Sequence, residues 1–213
     1  MKIPISHGHL EAALRNPEGA LRGGAVFCHP DPIQGGTMHT KAVYRAAQAL
    51  TELGLRTLRF NFRGVGCSTG TFDNGIGEQE DVGAALDWLE LGGVREGPVV
   101  LGGLSFGSMM GLSVGMEDDR VGAMVGLGLP VHVYDFSYLA KTKKPVLVIQ
   151  GEHDQFGSPR EVREALEGLG PHITVTEVQG SGHLFDGHFQ ELQGAILDYF
   201  TQGPGASVLG RSV

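Results

Sequence analysis

The chain is short of several things, and each shortage excludes something. It has only two cysteines, Cys28 and Cys67, in 213 residues. That is too few for a disulfide framework, and reduced thiols fit better than a bridge. It has no block of five or more Lys/Arg, and 16 basic against 24 acidic residues leave a formal net charge of −8. Such a balance repels phosphate backbones and anionic bilayers, so no nucleic acid and no membrane is expected as a partner. No run approaches the roughly 18 apolar residues of a membrane-crossing helix. The opening "MKIPISHGHLEAAL" lacks the long apolar core of a secretion signal. The expected location is cytoplasmic.

What the chain has in excess is glycine. Its 35 glycines are about twice the ordinary share of roughly 7%. They follow no fixed period and gather at the ends of apolar runs, which suits many short strand–helix turns. "KIPIS" and "LEAALR" read as an opening hairpin, and "GAVFCH" (24–29) as a buried strand stopped by Pro30. In 41–54, apolar residues at 43, 46, 47, 50 and 53 form a helical stripe closed by Gly54. The alternation continues with a strand over 55–62, a helix over 77–91, "GPVVLGGL", the small-residue helix "FGSMMGLSVG" and the runs "VGAMVGLGLP" and "KPVLVIQG". A helix over 159–169, the strand "HITVTEV" and the helix "FQELQGAILDYF" complete it. Near-continuous apolar strands between helices predict a three-layer α/β sandwich with a mostly parallel sheet. Residues 1–200 read as a single domain, and 201–213, lacking periodicity, as a flexible tail.

In open parallel sheets, functional groups collect at the carboxyl ends of strands. Three suggestive residues follow strands here. Ser105 stands in Gly103-Leu104-Ser105-Phe106-Gly107, a G-x-S-x-G string that occurs by chance in glycine-rich chains but also marks a sharp strand-to-helix elbow. Asp154 follows "VLVIQGEH", where a plain turn residue or helix cap would serve equally, and Glu152 is a competing carboxylate. His183 lies in a Gly-Ser-Gly-His turn, where a lone histidine is usually polar surface. Asp154 lies 49 positions after Ser105, and His183 a further 29. The order Ser, Asp, His, each behind a successive strand, is that of a nucleophile-elbow hydrolase. In that reading His183 takes the Ser105 proton, Asp154 orients the imidazole, and the Phe106 N–H supports the developing oxyanion.

"GLSFG", "GEHDQF" and "GSGHLF", with "CHPDPIQGGTMH" and "RFNFRGVGCSTG", resemble the alpha/beta-hydrolase superfamily. The resemblance is strongest to its small lidless branch, the dienelactone-hydrolase-like proteins and short-chain esterases, and spans roughly residues 20 to 200. It implies an alpha/beta-hydrolase fold without a cap domain. It also implies catalytic roles for Ser105, Asp154 and His183, a small-molecule ester substrate and no cofactor or metal. Dienelactone hydrolases proper use a cysteine nucleophile; the serine at 105 points to esters instead.

The second oxyanion donor is expected from "CHPDPIQGGTM". Pro30 and Pro32 have no N–H, which leaves the Asp31 main chain, with Ile33 as the fallback. The segment stands where the family has its His-Gly oxyanion loop, with Pro30 in place of the glycine. His29 is expected to brace it and His39 to line the pocket. Arg63 and Ser68 read as structural, and His188 as the start of the last helix. His7 and His9 form an H-x-H pair too sparse for a metal site. The interval 130–144, 15 residues long, is too short for a lid domain and offers Val131, Val133, Tyr134, Phe136 and Tyr138 as an apolar wall.

The leading reading is therefore a serine carboxylic-ester hydrolase. A thioesterase or small peptidase would use the same three residues, and a non-catalytic binding module could keep the fold without needing all of them. A phosphate loop at "GGLSFGSMMG" fails because no Gly-Lys-Ser/Thr follows. A homodimer is left open.

Overall fold

The computed structural model describes residues 1–92, 94 and 97–210. Strands β1 (Lys2–Ile5) and β2 (Gly8–Arg15) form the expected hairpin, and β2 runs antiparallel to β4 (Leu55–Phe60). The parallel strands are β3 (Gly23–Cys28), β4, β5 (Val99–Leu104), β6 (Val121–Leu127), β7 (Val146–Gly151) and β8 (Ile173–Val178). Together they make one sheet of order β1-β2-β4-β3-β5-β6-β7-β8. The five helices are α1 (Lys41–Glu52), α2 (Ile76–Leu91), α3 (Phe106–Glu117), α4 (Pro159–Ala165) and α5 (Phe189–Thr201).

The period-two geometry of a strand divides its side chains between two covered faces. Val26 and Cys28 of β3, Leu101 of β5 and Val148 of β7 belong to one core with α2, α3 and α4. Ala25, Phe27, Val100 and Leu147 belong to the other, under α1 and α5. This is why those strands read as unbroken apolar runs. Burying one of their Leu, Val or Phe side chains contributes roughly 1.5–3 kcal/mol. The three-layer sandwich is as expected.

Three expectations need correction. Helix α4 ends at Ala165, short of the expected residue 169. The expected tail has structure over 201–210: Thr201 ends α5, and Ala206–Leu209 form a 3-10 helix with Ala206 and Leu209 buried. The signal was missed because a single 3-10 turn is too short to show a period. Positions 211–213 of that tail lie outside the described residues. The interval 130–144 carries a turn and a short 3-10 helix, Ser137–Lys141, and no lid domain among the described residues, as expected; the apolar wall expected from it is what needs correction. Its apolar residues divide. Phe136 is core, Val131 and Tyr138 pack against the core, and Val133 stays exposed.

Among the described residues, no helix is long and apolar enough to cross a membrane. Cys28 is buried and Cys67 exposed, and both are free thiols. The chain leaves β3 toward β4 on one side and later returns to β5 on the other. The crevice between the carboxyl ends of β3 and β5 is thus a topological switch point, the usual place for a ligand in an open α/β sheet.

Candidate active site

Ser105 occupies the turn between β5 and α3, beside that crevice. Its backbone has φ 57° and ψ −120°, a region that strains a residue with a Cβ by about 1–3 kcal/mol. Two glycines make the turn sterically feasible. A Cβ on Gly103 would collide with the Gly107 carbonyl, and one on Gly107 with the carbonyls of Cys28 and His29. The G-x-S-x-G spacing is therefore required by close backbone crossings. The Ser105 N–H donates to the Leu127 carbonyl at 2.9 Å, tying the strained turn to β6.

Asp154 and His183 meet across the ends of β7 and β8. His183 Nδ1 lies 2.8 Å from Asp154 Oδ2, with both residues buried. This pairing puts the ring proton on Nδ1 and leaves Nε2 as an acceptor. Oδ1 of Asp154 accepts from the Phe156 N–H at 2.9 Å, and Oδ2 also accepts from the Gln150 side-chain amide at 2.8 Å. With both oxygens held, the carboxylate has one orientation. Phe156 packs edge-on against the imidazole at 4.6 Å. Gly128 closes the pair from behind: at φ +53°, a Cβ there would stand 3.0 Å from His183 Nδ1. Glu152, the competing carboxylate, instead accepts from the Gly180 N–H at 2.7 Å.

Gln150 is the residue that sequence reasoning missed. It is fully buried and saturated: Oε1 accepts from the Leu129 N–H at 2.8 Å, and Nε2 donates to Asp154 and to the Gly157 carbonyl at 2.7 Å. A glutamine inside the apolar run "VLVIQG" was the visible signal. A buried amide needs partners, and here they fix the acid's position.

The loop after β3 faces the elbow. His29 is buried, with Nδ1 donating to the Pro30 carbonyl at 2.7 Å and Nε2 accepting from the Phe62 N–H at 3.0 Å. Accepting at Nε2 requires the neutral ring, and burial pushes its pKa down to about 4. The expected brace is therefore in place. Beyond it, the Asp31 side chain accepts from the Ile33 N–H at 2.8 Å, which removes Ile33 as an alternative donor. The main-chain N–H groups of Asp31 and Phe106 have no hydrogen-bond partner among the described residues. Phe106 is itself held by Phe62 and Phe72, ring centroids 5.6 and 5.8 Å away.

Ser105, His183, Asp31 and Phe106 share the wall of a cavity of about 260 Å³, just below the usual range for ligand pockets. Pro130, Val133, Tyr134, Phe156 and Leu184 give it an apolar side; Gln34 and Thr40 lie on its polar side. Of the apolar wall expected from 130–144, only Val133 and Tyr134 reach it. His39 does not line it; its neighbour Thr40 does.

The other singled-out residues lie elsewhere. Arg63 makes a buried fork to Asp81 at 2.8–3.2 Å. The Ser68 hydroxyl donates to the Asn61 carbonyl at 2.7 Å. His188 precedes α5, 3.7 Å from Glu191. Among the described residues no cluster of three His, Cys, Asp or Glu could hold a metal, and His7 and His9 join none.

Comparison with known proteins bears on the family and the fold. Residues 33–192 match the family model of an alpha/beta hydrolase domain. An uncharacterized protein of Rickettsia prowazekii is 35% identical over 86% of this chain and 85% of its own. An alpha-beta serine hydrolase homologue from Coxiella burnetii superposes with a TM-score of 0.89 at 34% identity, over 94% of this chain and 96% of its own. An alpha/beta serine hydrolase without a lid, from Xanthomonas campestris, gives 0.86 at 33% identity, over 94% and 92%.

Proposed function

The chain belongs to the alpha/beta hydrolase family and is a hydrolase, and from that premise we propose that it cleaves carboxylic esters of small or short-chain acyl groups through an acyl-enzyme on Ser105. The observation that carries this reading is the strained Ser105 elbow opening onto a cavity it shares with a His183 already paired to Asp154. His183 Nε2 takes the Ser105 hydroxyl proton as Oγ bonds to the ester carbonyl carbon. Asp154 holds the imidazole in the tautomer this requires and stabilises the imidazolium without taking its proton. The carbonyl oxygen, now negative, accepts from the Phe106 and Asp31 N–H groups. A donor of this kind typically contributes 100- to 1000-fold in rate. The imidazolium then protonates the departing alkoxide. Water, deprotonated by the same Nε2, releases the acid.

The cavity volume limits the acyl group. A buried methylene contributes about 0.8 kcal/mol, but a lidless cavity of about 260 Å³ buries few of them. Over a series of p-nitrophenyl esters from acetate to palmitate, kcat/KM rises across the first few carbons and then levels or falls, with no jump in rate at an interface. A fluorophosphonate should label Ser105, located by peptide mass mapping. Label on Ser108 or Ser113, or a long-chain optimum, would overturn the proposal.

A further inference from the structure

The Asp31 side chain does something the oxyanion loop does not require. We infer that the site admits esters whose groups near the scissile bond are cationic or neutral and turns away those bearing a carboxylate or phosphate, with the Asp31 carboxylate as the determinant. This rests on the acyl-transfer reading above and names its substrate class.

Asp31 Oδ1 accepts from the Ile33 N–H at 2.8 Å and Oδ2 from the Gln34 amide at 3.3 Å. An asparagine would make the same Asx turn to Ile33 without a charge, so the turn explains the side-chain oxygen and not its ionisation. The charge also opposes catalysis locally, because it stands on the residue whose N–H meets a developing oxyanion. Among the described residues no Lys, Arg or His lies within ion-pair distance of it. Among the described residues no Lys or Arg lines the cavity, and Asp31 is the only Asp or Glu that does. Its charge is felt there. After burial, it is the second cause holding the Tyr134 hydroxyl, on the apolar wall, above the ordinary tyrosine pKa.

Two helix N-termini pull the other way. That of α3, beginning at Phe106 on the cavity wall, faces the scissile carbonyl common to every ester and so does not discriminate between them. Helix α1 begins at Lys41 with its N-cap Thr40 on the cavity wall, and a helix N-terminus favours anions. It carries about half an elementary charge, spread over the first turn, against a full one on the carboxylate. The carboxylate wins, and the chain's net charge of −8 adds to it at long range.

The test compares three p-nitrophenyl esters of similar length: butyrate, hemisuccinate and γ-trimethylammonio-butyrate. In the wild-type protein kcat/KM for the cationic ester should exceed that for the anionic one by at least about tenfold, and the ratio should shrink as salt is raised. In Asp31→Asn the ratio should fall at least about threefold. It is read within each variant, so a general loss from a displaced main chain cancels. Equal efficiency on hemisuccinate and butyrate, or an unchanged ratio in Asp31→Asn, overturns the inference. Should none of the esters turn over, the acyl-transfer reading fails by itself. Charge preference is then read from binding of methyl ketones with the same three tails, which need no hydrolysis. Indifference of the wild-type cavity to tail charge would sink it there too.

Discussion

The two ends of the parallel strands are built to different standards. At the carboxyl ends, Ser105 sits at φ 57°, two main-chain N–H groups have no partner among the described residues, and glycine is the residue that fits at 103 and 107. At the amino ends charged side chains close the helix end, although His172 Nδ1, just before β8, is buried there without a partner among the described residues. Helix α3 runs from one region to the other and shows both. Its first N–H, beside Ser105, has no partner among the described residues. Its last turn is closed by Lys144 Nζ, donating to the Gly115 and Asp118 carbonyls at 2.9 and 2.6 Å. Arg120 adds a fork to Asp118 and reaches Asp87 and Glu90 from the same side. A free donor and a strained turn cost stability, and they persist only where the surroundings over-determine them. The difference is that side chains at one end anchor the helix whose other end borders the cavity.

The sharpest way to separate the two ends is Ser105→Ala. It should fold with unchanged or slightly higher thermal stability and lose on the order of a thousandfold or more in ester turnover. Retained turnover would remove Ser105 from the chemistry.

Next is the buried His29. Its folded pKa, near 4, lies below the unfolded value of about 6.5. The unfolded chain therefore takes up the proton first on acidification. The stability from this group is present above about pH 6.5 and lost as pH falls toward 4. The loss is about 3 kcal/mol at 1.36 kcal/mol per pH unit. Denaturant melts across that window should show it, and His29→Gln should flatten the slope. Equal slopes in both proteins would mean that His29 is not the group.

Gln150→Leu removes the amide that holds Asp154 while keeping the strand apolar. Loss of an outer partner of this kind typically costs about 10- to 100-fold. The expected result is a fall in kcat of that size, with KM for a short ester little changed. A change confined to KM would place Gln150 in binding instead. The smallest effect belongs to the amino ends. Lys144→Met takes this donor from the Gly115 carbonyl, while the Asp118 carbonyl keeps the Val121 N–H, and should cost about 1 kcal/mol of stability, with kcat unaltered. A fall in kcat as large as that of Gln150→Leu would erase the distinction between the ends.

Much of this was legible in the sequence. The order of strands and helices could be read because a doubly covered strand is an unbroken apolar run and a one-sided helix a 3.6-residue stripe. Ser105, Asp154 and His183 could be singled out because each follows such a strand. Gln150 and Gly128 could not be assigned, since their roles depend on contacts between strand ends distant in sequence. Gln150 reaches Leu129 across 21 positions, and Gly128 backs a histidine 55 positions away. The wall expected from 130–144 divided between core and cavity because an irregular segment has no period to say which side chains turn inward.

By itself, the sequence determined the layers of this protein, the elbow at Ser105 and the chain order of the three candidate residues. Those follow from local periodicity and from steric rules acting within a few residues. Only the tertiary structure decided that the Asp154 carboxylate, and not Glu152, meets His183. It also decided that the Ile33 N–H is taken by the Asp31 side chain while the Asp31 N–H has no partner among the described residues, and that among those residues no Lys or Arg lines the cavity with the Asp31 carboxylate. Each depends on where separate strand ends stand relative to one another, which sheet order and register set and no local pattern encodes.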